Sequence, residues 1–213
     1  VQEGGASLAE GNITLDLNAT AGTGRVAIAP GQRIRFNAAS NVAAGQQVQL
    51  YSHAGAISAV GIAGAFESPA ADVAPSAYGI RSYNTGILSI NGTYGRTIDL
   101  STFGNGGWFL GSAGNGVQGN VAAGAFHGTL VAGAGNVFRL GGDGATLWLR
   151  NNTLDDDVRG AASVVIGSGL TNGSGATPTL GTGTVILDGG PGGFTGSLLV
   201  NRGSTLRLRD GLS

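Results

Sequence analysis

The sequence predicts an all-β protein of the parallel β-solenoid class, in which short strands stack on one another along a common axis. Runs of four or five residues alternate apolar and polar side chains, and most runs are followed by Gly, Asn or Asp. This pattern is typical of short strands closed by tight turns. Val164, Val185 and Leu206 lie 21 residues apart in three such runs. A repeat near this length is typical of a solenoid, because each coil buries its apolar face on the next.

The composition agrees with this class. Glycine supplies 42 of the 213 residues, and 41% of all residues are hydrophobic. Disordered chains carry fewer apolar residues and a higher net charge, and glycine recurs here at no strict third position as it does in collagen. Glycine at this frequency is instead expected at the turns between strands, because many turns need a positive φ.

The charges exclude several classes of partner. Only 11% of residues are charged and the net charge is −1, so the chain has no basic field that would attract nucleic acid. The absence of Cys excludes disulfides and thiolate metal sites. No stretch is apolar enough to predict a membrane span. We expect no cofactor.

Alternation predicts strands along most of the chain, which we divide into three parts. Residues 1–18 are an N-terminal arm, residues 19–95 are a less regular β region, and residues 96–213 are the β-solenoid. A β-sandwich is the alternative for the N-terminal part, because it would show similar turns. The predicted strands are residues 13–17, 33–36, 47–51, 97–100, 137–140, 146–150, 163–166, 184–187, 197–200 and 205–208.

Residues 181–208 carry the most specific pattern in the chain. A Gly-Thr step opens an alternating apolar run, an aromatic-Thr-Gly step follows, and an Asn-x-Gly turn leads into a Thr-Leu strand. These positions are Gly183, Thr184, Phe194, Thr195, Gly196, Asn201, Gly203, Thr205 and Leu206. The pattern resembles the autotransporter-associated β-strand repeat of bacterial surface proteins, from which it departs in having Phe194 for the usual Tyr and Ser204 before Thr205.

The resemblance implies a right-handed parallel β-helix that is secreted and lies outside the cell or on its surface. Repeats of this kind occur in passenger regions, whose roles are adhesion, passenger stability and secretion. The family offers no catalytic residues. We therefore expect a structural or adhesive protein rather than an enzyme.

Asp155, Asp156 and Asp157 are the only consecutive acidic residues in the sequence. Carboxylate oxygens in a loop are the ligands that Ca²⁺ prefers, and polysaccharide hydrolysis requires paired acids. Successive residues of a strand point to opposite faces, so three in a row converge only in an irregular loop. A solvated loop is the simpler interpretation, with a Ca²⁺ site or a polysaccharide-cleaving site as alternatives.

The N-terminal arm contains a strand with three apolar residues on one face, Ile13, Leu15 and Leu17. This strand is either the first coil of the solenoid or an exchanged strand that completes a neighbouring copy. Parallel stacks polymerise through their open ends unless these are capped, and neither end of the sequence shows an obvious cap. We therefore expect self-association into a homo-oligomer or filament.

Two tryptophans suggest a second partner. Trp108 and Trp148, with Phe109 and Phe138 near them in sequence, could stack against the sugars of a surface glycan. Aromatic residues at alternating strand positions are more often interior. A polysaccharide-binding protein is thus the alternative to a structural one.

Overall fold

The computed structural model describes the strands before residue 64 by their backbone and most of the chain after residue 85 in full. The described residues are 12–15, 26–28, 33–36, 48–50, 59–63, 86–103, 105–112, 124–150, 154, 156, 157, 159–169, 180–188 and 193–209. Sixteen strands lie in these ranges: β1 Asn12–Leu15, β2 Val26–Ile28, β3 Arg33–Phe36, β4 Val48–Leu50, β5 Ala59–Ala63, β6 Ile87–Tyr94, β7 Ile98–Asp99, β8 Phe109–Ser112, β9 Gly124–Phe126, β10 Leu130–Val131, β11 Val137–Leu140, β12 Thr146–Leu149, β13 Ser163–Ile166, β14 Thr184–Asp188, β15 Leu198–Val200 and β16 Thr205–Arg209.

The prediction of an all-β protein is confirmed. Strands make up about half of the described residues, and the helix among them is a single 3₁₀ turn at Leu100–Thr102. Every pairing between the described strands is parallel. Parallel neighbours cannot be joined by a tight hairpin, so each pair is separated by a longer crossing connection.

Two long ladders organise the strands. The first ladder runs in chain order through β1, β3, β5, β6, β8, β11, β13 and β15, and the second through β6, β9, β12, β14 and β16. β6 belongs to both, because Ile87–Asn91 pairs with β5 and Gly92–Tyr94 pairs with β9. Gly92 has a φ of 91° at this change of partner, a conformation that glycine adopts without a Cβ clash.

One row of register partners, which runs across every strand of the first ladder, consists of aliphatic residues. From β1 to β15 the backbone register aligns Ile13, Ile34, Val60, Leu88, Leu110, Leu140, Ile166 and Val200. In β11, β12 and β13 burial alternates along the strand, because successive side chains point to opposite faces. The buried faces of both ladders meet in one core that contains Trp108, Phe138 and Leu147.

The spacing between paired strands corrects one sequence prediction. Val185 and Leu206, 21 residues apart, are register partners. Val164, however, pairs with Leu198 in the first ladder rather than with Val185 in the second. Along the ladders the step between register partners varies from 21 residues, as between β1 and β3, to 38, as between β12 and β14. Connections of unequal length therefore hide the repeat from a search for a fixed period.

The strands before residue 95 do not pair as those of a sandwich would. β1, β3 and β5 are parallel neighbours, and β5 pairs directly with β6, whereas a sandwich of the immunoglobulin type is antiparallel. The first ladder thus continues across the predicted boundary at residue 95. The three-part division into 1–18, 19–95 and 96–213 itself stays a prediction.

Candidate functional site

The candidate site is the end of the two ladders formed by β15 and β16, which we call the terminal rung. β15 pairs with β13 and β16 with β14, and no further described strand pairs with either. Leu198, Val200 and Leu208 are 46%, 41% and 57% exposed, although their register partners Val164, Ile166 and Leu187 are at most 3% exposed. Among the described residues, no side chain covers these apolar residues of β15 and β16, although their partners in β13 and β14 are buried in the core.

The terminal rung combines two features that favour association. Its outer strand edges carry backbone N–H and C=O groups that no described strand satisfies, and such edges template the addition of another strand. Its apolar side chains also remain in water, and burying the exposed half of a Leu or Val side chain contributes about 1 kcal/mol. The rung is thus chemically suited to bind a strand that continues the stack.

Residues of the predicted repeat build the turn that joins β15 to β16. The Asn201 backbone N–H donates to the Ile166 carbonyl at 2.9 Å, and the Asn201 side-chain amide donates to the Gly167 carbonyl at 2.5 Å. Gly203 has a φ of 82°, which favours glycine. Asn201 therefore fixes this turn to the strand beneath it.

The Gly-Thr and Thr-Leu steps of the repeat lie beside each other in the second ladder. Thr184 is the register partner of Thr205, and Val185 is the partner of Leu206. Gly183 precedes β14, and a Cβ added there would lie 2.9 Å from the Ala145 carbonyl oxygen. The two halves of the motif are thus consecutive strands of one ladder.

Thr195 and Asp156 connect the remaining part of the repeat to the acidic run. Asp156 Oδ1 accepts from the backbone N–H groups of Ala162, at 2.9 Å, and Thr195, at 2.7 Å, while Oδ2 accepts from the Thr195 hydroxyl at 2.7 Å. These hydrogen bonds, first that from Ala162, hold the pKa of Asp156 below its usual value. Phe194, the preceding residue, is half-buried and packs against the core.

Asp157 is engaged by a different set of donors. Its carboxylate accepts from Arg159 Nε at 2.7 Å and Nη2 at 3.0 Å, and from the Ala132 backbone N–H at 3.2 Å. The Arg159 guanidinium also donates to the Ala132 carbonyl. Asp157 and Arg159 together thus bind both polar groups of the Ala132 backbone, and the side-chain hydrogen bond from Arg159 is the largest cause that lowers the pKa of Asp157 to about 2.

These contacts favour a structural role for the acidic run. Asp156 and Asp157 accept hydrogen bonds from different segments, and Asp155 lies outside the described residues. Among the residues that the structure describes, no group of three His, Cys, Asp or Glu side chains is placed to hold a metal ion. The Ca²⁺ and polysaccharide-cleaving alternatives stay predictions without support from this geometry.

We predict that Asp157 makes folding stability pH-dependent below pH 4. Its folded pKa is about 2 against an ordinary 3.8, so the folded state favours the carboxylate. The stabilisation is complete above the unfolded pKa and is lost as the pH falls through the folded value. In thermal melts followed by circular dichroism, Asp157→Asn should lower the melting temperature at neutral pH, and its difference from wild type should shrink between about pH 4 and pH 2.

The same melts contain their own control. Between pH 5 and pH 7 Asp157 is ionised in both the folded and the unfolded state, so the difference between wild type and Asp157→Asn should stay constant there. A difference that remains equally large at pH 2 would contradict the assignment, because the lost interaction would then not depend on ionisation.

The structure places only part of the predicted polymerisation strand. Ile13 and Leu15 lie in β1, which pairs through its backbone with β3 at the end of the first ladder opposite to β15. Leu17 lies outside the described residues. The role of these three residues in polymerisation stays a prediction.

The two tryptophans have different surroundings. Trp108 is fully buried and packs on Phe103, with 5.8 Å between ring centroids. Phe109 and Phe138 are also buried. These three side chains are therefore interior and cannot form a sugar-binding platform, whereas Trp148 is partly exposed on the outer face of β12.

Sequence reasoning did not single out the residues of the terminal rung. Leu198, Val200 and Leu208 were recognised only as members of apolar runs, which do not differ from those of β13 and β14. What distinguishes them is position at the end of a ladder, and this depends on the pairing of strands.

Comparison with known proteins adds no identification. The chain matches no family model, no curated protein and no solved structure. The resemblance of residues 181–208 to the autotransporter-associated repeat therefore stays a prediction. In the described ranges the structure contains no helix of the length and apolarity that crossing a membrane requires.

Proposed function

We propose that this chain is a structural β-solenoid, folded as a right-handed parallel β-helix, that acts outside the cell and associates with further copies of itself end to end. The observation that carries the proposal is the uncovered core at the terminal rung, where Leu198, Val200 and Leu208 are 41–57% exposed. An adhesive role is compatible with the same assembly, because a filament displays many copies of one outer surface.

The order of the strands supports the β-helix. Both ladders add strands in chain order and in parallel, as a chain does when it winds repeatedly around one axis. Crossing connections between parallel strands of one sheet are right-handed in about 98% of cases. The extracellular location rests on the resemblance of residues 181–208 to the autotransporter-associated repeat.

The opposite end of the first ladder supplies a matching partner for the terminal rung. β1 pairs on one side with β3, and no other described strand pairs with it. A β1 strand from a second copy, placed parallel to β15, would continue the aliphatic row from Val200 to Ile13. A second copy is therefore the occupant that fits both the direction and the side-chain pattern of the open edge.

The proposal is tested by the association of purified protein. Wild type should form rods that lengthen with concentration in sedimentation velocity and negative-stain electron microscopy. Leu198→Glu/Leu208→Glu should reduce association at least tenfold, because two carboxylates would have to be buried in the contact. Both positions are about half exposed, so the variant should keep its circular dichroism spectrum.

Two further variants sharpen the test. Ala134→Glu/Ala161→Glu adds the same two charges at exposed positions away from the terminal rung and should associate like wild type. Deletion of residues 1–18 removes β1 and should yield monomers. Wild type that stays monomeric at every concentration would overturn the proposal, and rods that persist after the deletion would exclude β1 as the occupant.

A further inference from the structure

A cluster of charged and aromatic side chains lies on the outer face of the second ladder, which we call the arginine face (Trp148, Arg150, Asp188, Arg207 and Arg209). In β12 the buried residues are Leu147 and Leu149, so Trp148 between them points outward. The register aligns Trp148 with Ile186 and Ile186 with Arg207. Arg209, two residues further along β16, is the register partner of Asp188 and shares this outward direction.

The indole ring of Trp148 holds two guanidinium groups. Arg150 Cζ lies 4.7 Å and Arg209 Cζ 5.3 Å from the ring centroid, within the range of a cation–π interaction. The Trp148 indole N–H donates to Asp188 Oδ2 at 3.2 Å, and this bond fixes the ring. Arg150 and Arg209 are 59 positions apart in sequence. The contacts with Trp148 therefore order two long side chains from distant parts of the chain around one aromatic ring.

The ordered guanidiniums retain their capacity to bind an anion. The Arg150 backbone N–H donates to the Phe126 carbonyl, but neither the Arg150 nor the Arg209 guanidinium donates a hydrogen bond to any residue that the structure describes. Among the described residues, three arginines share this face with one aspartate, whose Oδ1 is shielded from solvent and whose Oδ2 is bound by Trp148. The face is thus positively charged in a chain whose net charge is −1, and the side-chain entropy that anion binding usually costs is already reduced.

Hydroxyl groups lie in a parallel row on the same face. Thr146, Thr184 and Thr205 are register partners on three consecutive strands, two positions before the row of Trp148, Ile186 and Arg207. Residues two apart in a strand share a face. Ile186, in the middle of the second row, is 2% exposed, whereas Thr205 and Arg207 on β16 are exposed. A ligand on this face would therefore meet threonine hydroxyl groups and guanidiniums at the exposed positions around Ile186.

We propose that the arginine face binds an acidic polysaccharide through the carboxylates of its uronic acid residues. The planar guanidinium fork matches a carboxylate with two parallel hydrogen bonds, and the threonine row offers partners for sugar hydroxyl groups. Nucleic acid is a poorer candidate, because its binding depends on many phosphate contacts and a larger basic field. This binding site belongs to a single chain and does not depend on end-to-end association.

The proposal is tested by titrating the protein, below its association concentration, with polygalacturonate, dextran sulfate, neutral dextran and single-stranded DNA. Polygalacturonate should bind tightest, neutral dextran should not bind measurably, and binding should weaken as salt is raised. Arg150→Ala/Arg209→Ala should weaken polygalacturonate binding at least tenfold. Trp148→Ala should weaken it less, because it releases the guanidiniums without removing their charge.

A matched variant separates this face from general charge. Arg96→Ala/Arg202→Ala removes two exposed arginines elsewhere, changes the net charge equally, and should bind like wild type. Thermal melts confirm that each variant is folded before it is titrated. Wild-type affinity in Arg150→Ala/Arg209→Ala would overturn the proposal, as would an equal loss in the matched variant, or DNA or dextran sulfate binding as tightly as polygalacturonate.

Discussion

Replacing Trp108 by alanine should destabilise the protein by about 3–5 kcal/mol, the range for truncating a buried Phe or Trp. Trp108 is fully buried in the core that both ladders share. Its ring packs on Phe103, and a Cβ added at Gly86 would lie 2.7 Å from Trp108 Cε2. The ring therefore fills a space that Gly86 leaves open, and Gly86 has no side chain that could refill the cavity.

The loss should appear as a shift of the unfolding midpoint in guanidinium chloride, followed by circular dichroism. A natural domain is stable by only about 5–15 kcal/mol, so this single change removes a large part of the total. Trp148→Ala is the matched control, since Trp148 lies on the outer face and its cation–π contacts are each worth about 0.5–1 kcal/mol. Equal losses from the two substitutions would contradict the separate placement of the two rings.

The comparison also separates stability from ligand binding. Any loss of polysaccharide binding in Trp108→Ala should track the unfolded fraction and should disappear under conditions where the variant is fully folded. Trp148→Ala should instead change binding while the protein remains folded. The two tryptophans, which alternation alone does not distinguish, therefore have different measurable roles.

Local pattern predicted the strands after residue 136 well, whereas β8, β9 and β10 were not predicted. The expected strands at 137–140 and 163–166 coincide with β11 and β13, and those at 146–150 and 184–187 differ from β12 and β14 by one residue. Alternation succeeds here because each strand buries one face against a shared core, so that a period of two is imposed on the sequence. Gly92, inside β6, and Gly106 both have positive φ, a conformation that favours glycine.

Partner choice between strands could not be predicted in the same way. Val164, Val185 and Leu206 are evenly spaced, yet only Val185 and Leu206 are register partners. Spacing along the chain measures the sum of strand and connection lengths, and the connections differ widely. Register is instead set by the pairing that places the apolar side chains of neighbouring strands on the same buried face, and this is a property of the assembled ladders.

The candidate surfaces depend on that register and were therefore largely missed. The arginine face joins Trp148 and Arg150 to Arg209 on a strand two steps away. The terminal rung is distinguished only by the lack of a described strand beyond it. By contrast, Thr195, Gly196 and Asn201 were singled out from the order of residue types along the chain, although their contacts reach segments more than 30 positions away.

Gly196→Ala should destabilise the protein, although alanine at a glycine with ordinary φ usually stabilises by about 0.4–1 kcal/mol through the unfolded chain. The Gly196 N–H donates to the Ala162 carbonyl at 2.8 Å, and a Cβ at this residue would lie 2.1 Å from that same oxygen. The two backbones must separate to admit the methyl group. We expect a cost of about 1–3 kcal/mol from overpacking, and about 1 kcal/mol more where the hydrogen bond is lost.

The sign of the change in unfolding free energy, measured in urea, is the decisive readout. Ser163 Oγ would also lie close to the new Cβ, at 2.6 Å, so Ser163→Ala/Gly196→Ala tests whether that hydroxyl causes the clash. The double variant should stay destabilised, because the Ala162 backbone oxygen remains in place. Recovery to wild-type stability would assign the clash to the serine side chain and would contradict the close backbone approach.

The result bears on why the aromatic-Thr-Gly step has its form. Thr195 is tied to Asp156 by its backbone N–H and its hydroxyl, and Gly196 then lies against the Ala162 backbone. A destabilised Gly196→Ala would mean that the glycine is required for two chain segments to approach, rather than for flexibility. Unchanged or increased stability would mean that the two segments can separate without cost, and that the Asp156–Thr195 contact and the β13–β15 pairing suffice to hold this part of the stack.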